Sequence, residues 1–463
     1  MKTKITLLVA LLFLGFNFAT AQGNEEDMNT LSIFSEYAKA KNYDAAYEPW
    51  MQIRKRNPKF NRAIFTYGEN ILEHKIENST GAEQVAFIKD LVAMWEERRM
   101  HFASKTDEGE FLAKACQLQY DYRKELNMTD GQLYDCFDNA YKTDQATFTN
   151  PKSLYTYFKL MVNLYDAGKK PAEDLFTKYD EISEKVESEV KNYTKLLNKY
   201  IPAGDSDEEI KLSSKDQRIV NSYTTYLRAY DQISAGMDKD LGDRANCENL
   251  IPLYNKNYEQ NKNDGLWLQR AMNRLYTKEC TDDPLFVKIV EQKNNLQPNA
   301  DTAYYLGLLK EKSGNDSEAL TYYNQAVDLQ SDDYEKAKIL YRIASGFKKK
   351  GSYGQARTYY QKALAASPSS MGKAHLAIAQ MYASSANSCG DDNFSKRAVY
   401  WLAADEARKA GRVDANLSKD AANTAANYMS KAPSRSEIFS GGRQGETISI
   451  GCWIGRSVKV PNL

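Results

Sequence analysis

A repeat constrains this chain more than any other feature. "GNDSEALTYYNQAVDLQSD" begins at Gly314 and "GSYGQARTYYQKALAASP" at Gly351, and the two can be laid over one another. Gly314 falls on Gly351, Ala319 on Ala356, Tyr323 on Tyr360 and Ala326 on Ala363, each pair 37 residues apart. Upstream, "AYYLGLL" (Ala303 to Leu309) faces "LYRIASG" (Leu340 to Gly346), with Gly307 over Ala344. Two antiparallel helices joined by a tight turn approach closely only where small residues meet, and a tyrosine one turn further on fills the seam. Gly314 and Gly351 fall where the turn needs a left-handed backbone, and Pro368 stops the second helix.

These residues resemble the tetratricopeptide repeat, a helix-turn-helix of about 34 residues with small residues at fixed positions and a proline near its end. Clear units are expected at 300–333 and 337–370, with a three-residue insertion between them. Weaker copies follow the same spacing. Ala46, Trp50 and Pro58 suit a second helix over Lys41–Pro58, and Ile64, Tyr67 and Gly68 the next first helix. Trp267 and Ala271 suit a first helix starting near Asp264, whose partner Pro298 closes. Ile378, Ala379 and Tyr382 open a further unit with an expanded turn, "SSANSCGDDNFSK", before a helix from about Arg397 to Ala410. Residues 107–245 read as helical without a repeat phase, and Pro202–Ser214 as an acidic loop. The fold class expected is all-α, an α-solenoid of such hairpins with a short C-terminal β segment.

The N-terminus has the pattern of a secretory signal. Lys2 and Lys4 precede the apolar run Ile5–Phe18, and Ala19-Thr20-Ala21 is an A-x-A cleavage site before Gln22. The "ATAQ" ending resembles exported proteins of the Bacteroidota. The expected organisation is a signal peptide over 1–21, a divergent helical region over 22–245, the repeat array over 246–430 and a tail over 431–463. No later stretch is apolar enough to span a bilayer, and no cysteine near the cleavage site suggests a lipid anchor. A chain soluble in the periplasm, or secreted, is therefore expected. In the tail, "GETISIGCWIGRSVKVP" alternates and is rich in β-branched residues, so it reads as a strand or a small hairpin. Ile448, Ile450, Cys452 and Ile454 would share one face, capping the last helices.

Six cysteines in an exported chain point to disulfides, and six allow fifteen complete pairings. Helical hairpins narrow these. Cys116 and Cys136 flank a turn at "NMTDG", while Cys247 begins one helix and Cys280 ends the next. Cys389, in the expanded turn, and Cys452, in the tail, remain as the third pair.

Catalytic signatures are missing. His74, His101 and His375 are scattered and read as partly exposed helix residues rather than ligands. There is no paired C-x-x-C, no nucleophile elbow, no H-E-x-x-H and no phosphate or dinucleotide loop, so neither an enzyme nor a cofactor is expected. With 62 basic and 62 acidic residues the formal charge is zero, which gives no reason to expect nucleic acid.

The remaining site type is the groove that the resemblance implies, lined by first helices. Carried onto this sequence, the first unit offers Tyr304, Leu308 and Lys312. The second offers Lys338, Tyr341, Ser345, Lys348 and Lys349, and the next Lys373 and Gln380. The asparagines of the family's carboxylate clamp are absent here. The competing reading is that the tyrosines only pack between helices and the lysines are solvated. The function expected is a non-catalytic envelope scaffold binding another protein, with a role in outer-membrane assembly or secretion. The alternative is a carbohydrate-binding accessory protein, which would want exposed tryptophans.

Overall fold

The computed structural model describes residues 25–201 and 212–462. The expected signal peptide, and most of the acidic loop, lie outside them. Two compact units meet in sequence between Ile182 and Ser183.

The first unit is built from helical hairpins with bulky seams. After a helix over 25–39, Tyr43–Arg56 and Ala63–Glu77 pair closely. A side chain on Gly68 would come within 2.7 Å of the Trp50 ring, so only glycine fits there. The Trp50 indole is fully buried and donates to the Ile64 carbonyl at 2.7 Å, satisfying its one polar atom. Arg54 is also buried, and its guanidinium is held by Asp90 at 2.9 Å and Glu97 at 2.8 Å, as a buried charge requires. The helices Glu108–Asp121 and Asp130–Thr143 follow, the second opened by a reciprocal cap between Thr129 and Gln132. Cys116 and Cys136 are bonded across this hairpin, with Cα atoms 5.8 Å apart.

The second unit contains the array. Its hairpins are Gly265–Thr277 with Pro284–Leu296, Ala300–Lys312 with Asp316–Leu329, Asp333–Lys349 with Tyr353–Ala366, and Gly372–Ser385 with Asn393–Val413. Side chains of Asp264, Asn299 and Asp332 accept the free backbone amides that begin three of the first helices. Gly314 and Gly351 turn the chain with φ of 77° and 74°. A Cβ on Gly307 would lie 2.7 Å from the Tyr323 ring, so this glycine is what lets the two helices touch. The helical class and the hairpin array are those expected from the repeat, and the small terminal sheet is expected from the alternation in the tail.

Several local expectations need correction. The three-residue insertion expected between the units is helical. It lengthens the first helix of its unit, which starts at Asp333, because Asp332 caps it there. The helix expected from Arg397 begins at Asn393, since Asp392 accepts the amide and hydroxyl of Ser395, both at 2.6 Å. The tail is a hairpin, β1 (Thr447–Ile450) antiparallel to β2 (Arg456–Lys459), with Thr447 opposite Lys459. Ile448, Ile450, Ile454 and Val458 are buried, but Cys452 lies in the connecting turn with φ of 49°, not on the strand face.

Cys452 bonds Cys389, and Cys247 bonds Cys280. The Trp453 indole donates to the Ser385 hydroxyl at 2.9 Å, and Arg357 donates to the Ile454 carbonyl at 2.6 Å. A two-stranded hairpin is at best marginal alone, so the disulfide and these contacts hold it on the last hairpins.

Candidate functional site

The candidate residues lie on three consecutive first helices of the array, and the structure treats them differently. Tyr304 is 4% exposed. Its hydroxyl shares a hydrogen bond with that of Tyr276 at 2.9 Å, and its ring meets those of Tyr323 and Tyr305 at 5.6 and 5.4 Å. Arg342, from the next first helix, covers both Tyr276 and Tyr304 at 5.6 and 5.7 Å from the ring centroids. Tyr304 is therefore a packing residue. Leu308, one turn on, is half-buried, and Lys312 reaches Asp282 at 2.7 Å.

Tyr341, at the equivalent position one repeat later, is half-buried. Its ring lies 5.2 Å from Tyr360, and Lys373 of the following first helix sits over it at 4.5 Å. Ser345 donates to the Tyr341 carbonyl at 2.9 Å, one turn back on the same helix. Lys348 spans to the next first helix, donating to Gln380 at 2.6 Å, while Lys349 is exposed. Tyr341, Lys348, Lys373 and Gln380 thus come together across two repeats. Leu308 and Lys349 stand at the margins.

Lys338 is engaged from elsewhere. Its ammonium contacts Glu187 and lies 3.2 Å from Glu335. Burial, with Arg342 and Lys373 nearby, pushes it down to about 7; the Glu187 carboxylate against it opposes that shift. Glu187 belongs to the helix Ala172–Leu197, whose part from Ser183 onward lies in the second unit. Sequence reasoning did not anticipate this helix as a neighbour of the array, since no periodic signal encodes a contact 151 residues away. Beside Lys373, the carboxyl of Asp414 is raised to about 6, first by burial and further by Asp231.

His375 is a correction. It is 3% exposed, not surface-lying, and its ring nitrogen is 2.7 Å from the buried Glu406 carboxylate, which Lys409 also approaches at 3.6 Å. This is a closed polar cluster within one hairpin. Among the described residues no group of three His, Cys, Asp or Glu side chains could hold a metal ion. No helix among them is long and apolar enough to cross a membrane.

No protein-family model matches the chain. Over 67 residues it is 37% identical to the photosystem I assembly protein Ycf3 of Cuscuta gronovii, and equally to that of Cuscuta obtusiflora. The match covers 14% of this chain and 40% of each relative, so the chain spans about two fifths of their length. Among solved structures, it is similar to a tetratricopeptide repeat protein from Parabacteroides merdae, at 10% identity and a TM-score of 0.25, over 68% of this chain and 97% of that one. Yeast Tom70 aligns at 13% identity and a TM-score of 0.26, over 90% and 82% of the two chains. Human IFIT1, as a dimer with PPP-AAAA, aligns at 12% and 0.28, over 88% and 93%. Likenesses this distant leave function to be argued from the chain's own side chains.

Proposed function

We propose that this protein is a non-catalytic scaffold of the cell envelope that holds an acidic segment of another protein on the first-helix face, along Tyr341, Lys348, Lys349 and Lys373. One observation carries the reading. Lys373 reaches back over the Tyr341 ring at 4.5 Å, so an ammonium and an aromatic face from two repeats form one surface. Tyrosine offers contact area at small entropic cost, and the lysines around it select carboxylates or carbonyl oxygens. Leu308 would lie at the edge of this surface and Ser345 in its floor, with Lys338 at the end nearest Glu187, while Tyr304 packs behind it.

An exported location is supported by the signal-like residues 1–21 and by three disulfides, which persist in oxidising compartments. The carbohydrate alternative finds less support. Trp50, Trp95 and Trp401 are buried and Trp267 and Trp453 half-buried, so none stands out as a stacking platform. The test is cross-linked capture from envelope extracts with the wild-type chain and with a Lys348→Glu, Lys349→Glu, Lys373→Glu variant. A protein recovered by the first should be lost from the second while thermal melting stays unchanged. Equal recovery by both would sink the reading.

A further inference from the structure

The first-helix face already has an occupant. From Ser183 onward, the helix Ala172–Leu197 runs along the array from the helix Gly265–Thr277 to the segment that precedes Gly372–Ser385. Glu184 takes both oxygens to the Arg270 guanidinium, each at 2.7 Å. Glu187 pairs with Lys338, and Lys191 with Asp332 at 3.0 Å. Just past the helix, Asn198 accepts from the Ser369 amide at 3.1 Å and its hydroxyl at 2.6 Å, and donates to Ser367 at 3.2 Å.

The helix has two working faces of opposite character. At about 100° per residue, Glu184, Glu187, Lys191 and Asn198 fall within about 60° of each other. Val190, Tyr193 and Leu197 form a second stripe of similar width beside the first. This apolar stripe packs on Val220 and Leu227 of the helix Ser214–Leu241, and Tyr193 stacks on Tyr226 at 4.9 Å and 12°. The two helices are thus joined by an apolar seam. Toward Arg270, Lys338 and Asp332 the contacts are polar, and Glu184 and Glu187 keep about half of their side-chain surface exposed, at 51% and 46%. An apolar tie to the array lies at one end, where Leu197, Ile201 and Leu227 meet Val413, and Val186 and Thr194 of the same helix are also buried. The cations are more covered, Arg270 at 21% and Lys338 at 25%. A pair open to solvent on its carboxylate side is still weakened by salt, whereas an apolar seam is not.

We propose that residues 183–198 are an intramolecular ligand of the array, a polar latch that an acidic helical segment of a partner displaces. The segment carries carboxylates three residues apart, as Glu184 and Glu187 do, and docks helix-in-groove on Arg270 and Lys338. The inference rests on the reading of this face as a binding surface, and it adds that the surface is masked at rest. Latch and partner compete for the same cations, so opening one favours the other by the same factor.

The test uses the full chain and a labelled peptide of residues 183–200 added in trans, so it needs no external partner. At low salt the wild-type chain should bind the peptide poorly. A Glu184→Lys, Glu187→Lys chain should bind it about tenfold more tightly, within the range typical of such couplings. Its amides over 184–197 should exchange faster. Adding Arg270→Glu and Lys338→Glu should re-form the pairs with reversed charge and return exchange over 184–197 to the wild-type rate. The milder Glu184→Gln, Glu187→Gln chain should show the same gain in part. Unchanged peptide binding and exchange, with an intact melt, would overturn the latch. So would a collapsed melt in the Gln variant, which would make the helix part of the core. Either result leaves the Lys348, Lys349 and Lys373 surface to be judged by its own capture experiment.

Discussion

Tyr304 and Tyr341 occupy the same place in adjacent repeats, 37 residues apart, yet one is core and the other is surface. The hairpins beneath them differ little: Gly307 and Ala344 face Tyr323 and Tyr360 at equivalent positions, and all four are buried. The difference comes from the neighbours on either side. Tyr304 is sandwiched between Tyr276 of the hairpin before and Arg342 of the hairpin after. Tyr341 has Lys373 after it, and the long, flexible ammonium chain lies over one face of the ring. A repeat position therefore does not carry a fixed environment. What adjacent repeats place against it decides whether it packs or binds.

The sharpest way to break this contrast is to remove the buried ring. Tyr304→Ala should cost about 3–5 kcal/mol, the range for deleting a large aromatic from a core. It would also leave Arg342 without the two-ring bed on which it lies. Denaturant unfolding of the purified chain measures it. A loss below about 1 kcal/mol would mean that Tyr304 is exchangeable surface after all.

How much of this was legible in the sequence follows from the same pair. The hairpins were legible because Gly307, Ala319, Ala344 and Ala356 sit where two helices must touch, and contact within a hairpin is a local matter. The cysteine pairs close single hairpins or join the tail to the nearest turn, and hairpin geometry reaches them too. The exposure of Tyr304 was not legible, because Arg342 lies in another repeat and periodicity says nothing of how far its side chain reaches. Glu184, Glu187 and Lys191 were further out of reach. They sit in a stretch with no repeat phase, and an amphipathic helix announces a buried face without naming what buries it. His375 misled for a related reason: one histidine on a helix reads as surface unless Glu406 is known to lie against it.

The second prediction sharpens the contrast through pH. At the open end, Asp414 is half-buried beside Asp231 and Lys373, and its carboxyl is raised to about 6. A carboxyl whose folded pKa lies above its unfolded value favours folding when protonated. Its contribution is full below about pH 4 and is lost as pH rises through about 6. Asp414→Asn should therefore stabilise the chain by about 1–2 kcal/mol at pH 7 and leave it unchanged at pH 4. Asparagine keeps an oxygen to accept the Asn416 amide, now at 3.0 Å, so the turn there survives. Unfolding at the two pH values decides it, and an equal effect at both would show that the charge of Asp414 does not matter.

The smallest effect on stability is expected at Tyr341. Its ring touches Tyr360 on one side and Lys373 on another, and the helix beneath it is already closed by Ala344 against the second helix of the hairpin. Truncation removes a half-buried ring and frees Lys373 without opening an enclosed cavity, so Tyr341→Ala should cost about 1 kcal/mol or less. The same change strips the aromatic half of the proposed surface, so capture of a partner should fall far more than the melt does. Tyr341→Phe separates the contributions. The hydroxyl is dispensable if the ring is what Lys373 and a bound segment rest on, and capture should then return. Should Tyr341→Ala instead destabilise the chain as much as Tyr304→Ala, the two repeats would be alike after all, and the binding surface would have to be sought on another face.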